Sequence, residues 1–172
     1  MCEKLRAVRT RDKTVEAGIG IDPNVREADY YVMSHSALNT FSKEEAEHQE
    51  KVTNGLIKIL YKRMMPLRNI NDVIEEHWEH FNKQAPSFVS LDAEGWSLPI
   101  LKAIDYKRFR PKVICIETLV SGTTRTIPEI PEFMRAQGYV NRGGSFVNTI
   151  FADGDILWPS ALPFTVPGLG RF

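Results

Sequence analysis

Cysteine is almost missing from this sequence: Cys2 and Cys115 are the only two in 172 residues. A disulfide framework is therefore excluded as the source of stability, and a reducing compartment, the cytoplasm, is expected. Long apolar runs are missing too. Nothing approaches the roughly 20 consecutive apolar residues of a membrane span. Residues 1–11 (MCEKLRAVRTR) are charged and have no apolar core of the signal-peptide kind. Net charge is absent, because 22 Lys and Arg balance 22 Asp and Glu. That leaves no basic footprint for nucleic acid. Internal repeats and low-complexity tracts are also lacking. What remains is 42% hydrophobic and 26% charged, ordinary for a globular chain with a real core.

The punctuation of the chain predicts alternating strands and helices. Residues 14–21 (TVEAGIGI) read as a strand and Asp22-Pro23-Asn24 as a turn. Residues 28–33 (ADYYVM) are aromatic and β-branched, a second strand. Thr40 or Ser42 caps a helix over residues 43–52, with Glu44 or Glu45 in its first turn. Residues 57–61 form a short strand. Leu67, Ile70, Val73, Ile74, Trp78 and Phe81 make one apolar stripe and predict a helix over residues 67–81. Residues 88–91 (FVSL) are a strand, 98–106 a helix, and 113–116 (VICI) a strand with both faces buried. A helix over residues 128–137 stops at Gly138. Residues 139–140 and 146–152 form a terminal hairpin around Gly143-Gly144. The strand–helix–strand order across residues 57–140 predicts an α/β fold with a largely parallel sheet and an antiparallel edge. From Leu157 onward the tail carries three prolines and two glycines and is expected to be irregular.

The sharpest motif is Leu91-Asp92-Ala93-Glu94-Gly95. In open α/β sheets, ligands bind outside the carboxyl ends of strands. Two acids and a glycine just past a strand can aim polar groups into a cleft, and glycine lets backbone approach a ligand closely. The competing reading is that Asp92 or Glu94 caps the helix that begins near Ser97. Glu117 ends the next strand and should open on the same edge, unless it serves an ordinary salt bridge, with Arg125 as a candidate partner. Gly18-Ile19-Gly20 resembles a nucleotide loop only superficially, since no helix of useful length follows it before Pro23. His77 and His80, with Glu76 and Glu79, lack a third ligand and read as a solvated helix face, so no metal is expected. Lys107, Arg108, Arg110 and Lys112 read as a solvated basic cluster near a helix end.

In order along the chain, these pieces resemble the FkbM family of methyltransferases. The resemblance is carried by residues 28–47 (ADYYVMSHSALNTFSKEEAE), 65–77 (MPLRNINDVIEEH), 87–118 (SFVSLDAEGWSLPILKAIDYKRFRPKVICIET), 130–140 (IPEFMRAQGYV) and 147–153 (VNTIFAD). It implies a Rossmann-like class I methyltransferase sheet, mostly parallel with a C-terminal antiparallel hairpin. It also implies S-adenosyl-L-methionine as cofactor and O-methylation of a small molecule or glycan. Asp92 and Glu94 match the family's D-x-E-G motif. On that ground Asp92, Glu94 and Gly95 are expected at the cofactor. Asp92, Glu94 and Glu117 are the expected catalytic acids, Glu117 facing the substrate. The domain is expected over residues 14–158, with residues 1–13 unassigned and 159–172 a Pro/Gly-rich tail. The family's opening strand and D-x-G-x-x-x-G turn should precede Thr14, yet residues 1–13 contain no glycine. The resemblance thus predicts an N-terminally truncated domain that binds its cofactor weakly alone and pairs with a second copy or a missing N-terminal segment. The alternative is a non-catalytic remnant or interaction module.

Overall fold

A computed structural model describes residues 2–93, 96–119 and 126–157, the side chain of Phe81 excepted. The chain divides into two units: Met1–Asn82 with Ala93–Ile104, and Lys83–Asp92 with Asp105–Phe172. In chain order the elements are α1 (Cys2–Val8), β1 (Gly18–Ile19), β2 (Glu27–Met33), α2 (Lys43–Val52), β3 (Ile59–Arg68), α3 (Ile70–Glu76), β4 (Phe88–Leu91), α4 (Ser97–Ala103), β5 (Val113–Glu117), α5 (Glu129–Ala136), β6 (Tyr139–Gly144), β7 (Asn148–Asp153) and α6 (Gly154–Leu157). Short 3-10 turns fall at Ser36–Leu38 and Glu79–Phe81.

The first unit holds a three-stranded sheet in the order β1-β3-β2. β2 runs antiparallel to β3, and β1 adds two residues parallel to it at Leu67 and Arg68. β3 is longer than the expected strand at residues 57–61. It passes through Pro66 and absorbs Leu67, which the apolar stripe had assigned to a helix. The strand tolerates Pro66 because successive N–H groups point to opposite sides. Leu67 N–H turns toward β2 and donates to the Arg26 carbonyl at 2.7 Å, so the missing Pro66 N–H falls on the other side. The helix that remains begins at Ile70, capped by the Asn69 side chain. It ends at Glu76, and His77 caps its carboxyl end. Ser42 caps α2 by accepting the Glu45 N–H at 3.1 Å, with Glu44 and Glu45 in the first turn. Tyr30 and Phe41 pack at 4.8 Å between ring centroids, and Met33, Ala46 and Met65 are buried.

Gly18 and Gly20 serve packing in this unit. A Cβ on Gly18 would meet the Phe41 ring at 2.4 Å and Leu67 at 2.7 Å. Gly20 N–H donates to the Arg68 carbonyl, and the chain then turns at Asp22, whose carboxylate accepts the Asn24 N–H. No helix follows, in keeping with the rejection of a nucleotide loop.

The second unit holds a four-stranded sheet in the order β4-β5-β7-β6. β4 and β5 are adjacent and parallel, as expected, with Leu91 opposite Ile116. β7 is antiparallel to both β5 and β6, so β6 shares the direction of β4 and β5. The expectation of one mostly parallel Rossmann-like sheet is corrected. Among the described residues there are two mixed sheets, and parallel pairing is confined to β1–β3 and β4–β5. The helix between β4 and β5 spans Ser97–Ala103 rather than residues 98–106 and groups with the first unit. There the Asn71 side chain donates to the Ala103 carbonyl at 2.8 Å.

The core of the second unit lies on one face of its sheet. Ile114, Ile116 and Phe151 are buried there, as are Ile130 and Met134 of α5. Val113 and Cys115 of β5 are only half-buried, which corrects the expectation of a strand buried on both faces. α5 stops at Gly138, whose φ of +80° suits glycine. The hairpin is shifted from its expected place: Gly143 and Gly144 end β6, and the reversal falls at residues 145–147.

One edge of this sheet is held by a forked ion pair. Arg110 Nε and Nη2 donate to the two Asp153 carboxylate oxygens at 2.8 and 2.7 Å, and Nη1 donates to the Gln137 carbonyl at 3.0 Å. The guanidinium lies 4.8 Å from the Tyr139 ring centroid, and Tyr139 donates its hydroxyl to the Pro111 carbonyl at 2.5 Å. Thus Arg110, read from sequence as solvated, is structural. The side chain of Asp153 is 8% exposed and that of Arg110 30%. The Arg110 hydrogen bonds hold the Asp153 carboxyl below its ordinary range.

A carboxyl that titrates lower in the folded than in the unfolded chain stabilises above its unfolded pKa. That contribution is lost as pH falls through the folded value. Asp153→Asn is therefore expected to cost about 3 kcal/mol at neutral pH, because it strands a partly buried guanidinium. The penalty should shrink as pH drops below roughly 4. Urea unfolding of both proteins at pH 7 and pH 3 checks this, and an equal penalty at both would sink the assignment.

Candidate functional site

The parallel pairing of β4 with β5 decides where the acids emerge. Leu91 stands opposite Ile116, so Asp92 leaves β4 beside Glu117, the last residue of β5. Both lie at the carboxyl edge, where open α/β sheets present their ligand-binding groups. Asp92 is exposed and Glu117 half-buried. Glu117 is also the residue of β5 opposite Asn148, the first residue of β7. Of the other expected site residues, Glu94 and Gly95 lie outside the described residues, as does Arg125, the suggested partner of Glu117.

Two hydroxyls anchor this edge. Thr118, 7% exposed, follows β5, and its N–H donates to the Val147 carbonyl at 2.9 Å. The Thr118 and Thr149 hydroxyls share a 2.8 Å hydrogen bond, and the Ile127 N–H donates to the Thr118 carbonyl at 2.8 Å. The edge is thus fixed by short contacts between the end of β5, the segment before α5 and the start of β7. Such support limits the drift of the acids it flanks.

The β6–β7 reversal projects from the same edge, since β6 ends and β7 begins there. Its backbone is held by local hydrogen bonds. Asn141 Oδ1 accepts the Gly143 N–H at 2.8 Å, Ser145 N–H donates to the Asn148 carbonyl at 2.8 Å, and Asn148 N–H donates to Ser145 Oγ at 3.1 Å. Gly143 takes a φ of +88°. At Gly144 the constraint is contact: a Cβ would lie 1.9 Å from the Asn148 carbonyl oxygen.

Sequence reasoning passed over Thr118, Thr149 and Asn148, because hydroxyls and amides inside strands carry no spacing signal. The reversal was signalled by Gly143-Gly144 and falls just after them, at residues 145–147.

Other groups do not assemble a site. Among the described residues no group of three or more His, Cys, Asp or Glu comes together to hold a metal. His77 caps α3, and His80 lies in the 3-10 turn that follows. Cys2 in α1 and Cys115 in β5 are both free thiols. An open cleft of about 390 Å³ in the first unit is lined by Ile21, Leu98, Pro99, Lys102 and Ala103, and none of the predicted acids lines it. No helix among the described residues is long and apolar enough to cross a membrane.

An edge that presents two carboxylates can accept hydrogen bonds from hydroxyl-bearing ligands and take up a proton. Comparison with known proteins bears on which chemistry it serves. The family model described as Methyltransferase FkbM domain matches residues 2–140. No curated protein and no solved structure matches the chain.

Gly144→Ala is expected to destabilise the fold by about 1–3 kcal/mol, the range for forced overpacking. Loss of amide-exchange protection at the Ser145 and Thr118 N–H groups should accompany it. Wild-type denaturation and unchanged protection would show that the close approach at Gly144 is not a constraint.

Proposed function

The chain belongs to the FkbM methyltransferase domain family, and from that premise we propose that it serves S-adenosyl-L-methionine-dependent O-methylation of a small molecule or glycan. The family match across residues 2–140 carries this reading. The shared carboxyl edge of β4 and β5 supports it, because that is where Asp92 and Glu117 emerge.

The described residues fit the acceptor side of such a site better than the cofactor side. Carboxylates at adjacent strand ends suit hydroxyl donors, whether of a ribose or of an acceptor. Among the described residues, however, no glycine-rich turn leads from a strand into a helix. Gly18 and Gly20 are taken up by packing against Phe41 and Leu67. S-adenosylmethionine, when bound, supplies a methyl group already activated on a sulfonium. The protein's part is then to align the acceptor and remove its proton. Asp92 and Glu94 are assigned to the edge between cofactor and acceptor, one of them as base, with Gly95 allowing close approach. Glu117 is assigned to acceptor contact. A second copy of the chain, or an additional N-terminal segment, would complete the cofactor cradle.

The second reading, a non-catalytic remnant or interaction module, is favoured by the same lack of a described glycine turn. One experiment separates the two. Calorimetric titration of the isolated chain with S-adenosylmethionine is expected to show binding weaker than micromolar. Methyl transfer at millimolar cofactor should be detectable and fall about 100-fold or more in Asp92→Asn, the usual contribution of a positioned base. Micromolar affinity would overturn the incomplete cradle. Turnover indifferent to Asp92 would remove it from the chemistry, and no turnover at any cofactor concentration would favour the non-catalytic reading.

A further inference from the structure

The reversal between β6 and β7 is polar and glycine-rich except at Phe146 and Val147. Phe146 is 78% exposed, the most exposed aromatic side chain among the described residues. Hairpin tips favour Gly, Asn, Asp and Ser for conformational reasons, and a ring left in water contributes little to the core. The fold therefore does not require an aromatic side chain at this position.

The backbone that carries the ring is fixed on both sides. Ser145 N–H donates to the Asn148 carbonyl at 2.8 Å, and the Val147 carbonyl accepts the Thr118 N–H at 2.9 Å. Little ordering remains to be done when something docks on the ring, which favours binding. The reversal also belongs to the acid-bearing edge, because Asn148 is paired with Glu117.

We infer that Phe146 recognises the methyl acceptor, its ring stacking on a flat C–H or aromatic face while an acceptor hydroxyl reaches the acids at the ends of β4 and β5. The inference rests on the methyl-transfer reading and adds to it a specificity-determining residue. The acceptor it describes is cyclic, has an apolar face and bears hydroxyls on its rim. Pyranose rings meet both requirements. The C–H bonds on one face of the sugar carry partial positive charge and match the negative face of the aromatic quadrupole.

The test is saturation-transfer NMR on the whole chain. The probes are methyl α-D-glucopyranoside, galactopyranoside and mannopyranoside, with S-adenosylhomocysteine as a separate probe. Wild type is compared with Phe146→Ser and Phe146→Tyr. At least one pyranoside should receive saturation from wild type and from Phe146→Tyr, and about fivefold less from Phe146→Ser. Thermal midpoints and the S-adenosylhomocysteine signal should agree among the three proteins. Equal pyranoside signal in Phe146→Ser would overturn the inference, as would no pyranoside signal in wild type. Pyranoside binding that depends on Phe146, with no S-adenosylhomocysteine signal in any protein, would instead favour the non-catalytic reading and leave the recognition role standing.

Discussion

The second unit depends on the fork between Arg110 and Asp153. Arg110 precedes β5, Asp153 ends β7, Gln137 caps α5 and Tyr139 begins β6, and one guanidinium touches all of them. These four points lie at the amino end of β5. The acids and the hairpin reversal lie at its carboxyl end. The sheet therefore separates its strongest polar restraint from the edge assigned to chemistry, and that edge is held by weaker neutral hydrogen bonds around Thr118. The Arg110 fork is directed to Asp153 and Gln137, away from the carboxyl edge. The basic residue nearest in sequence to β5, Lys112, is exposed.

Much of the second unit was legible from residue types. Phe88–Leu91 and Val113–Glu117 are short, apolar and bounded by Pro or Gly signals, and they form the parallel pair they predict. Gly138 ended α5 because glycine readily takes the left-handed conformation that commonly stops a helix. The first unit was harder. Leu67 and Ile70 fit a helical stripe, but a strand that already pairs with Glu27–Met33 continues through Arg68 before any helix begins. Local period lost to non-local pairing, which a window of residues cannot contain. The division into two mixed sheets was illegible for the same reason, since strand order depends on partners far apart in sequence.

The site was legible to the extent that it follows from strand direction. Asp92 and Glu117 emerge together because parallel strands share an edge, and that much could be deduced before any coordinates. The threonine pair that flanks them could not, because its placement depends on the antiparallel return of β7. Arg110 shows the converse. In sequence it is one of four neighbouring cations, and only the position of Asp153 makes it different from Lys107 and Lys112.

The order of β4, β5, β7 and β6 also bears on how the sheet assembles. Tyr139 meets Asp153 across only 14 intervening steps of chain, whereas Val113 must find Ala152 across 39. Loop-closure entropy grows with separation, by about 0.6 kcal/mol for each doubling. The hairpin is the cheapest closure in the sheet, and it is made from residues synthesised after β4 and β5. Until that segment leaves the ribosome, Ile114 and Ile116 have neither β7 beside them nor the buried side chain of Phe151 to pack against. Over that interval a nascent chain holds β5 with only one of its two strand neighbours, β4, in place.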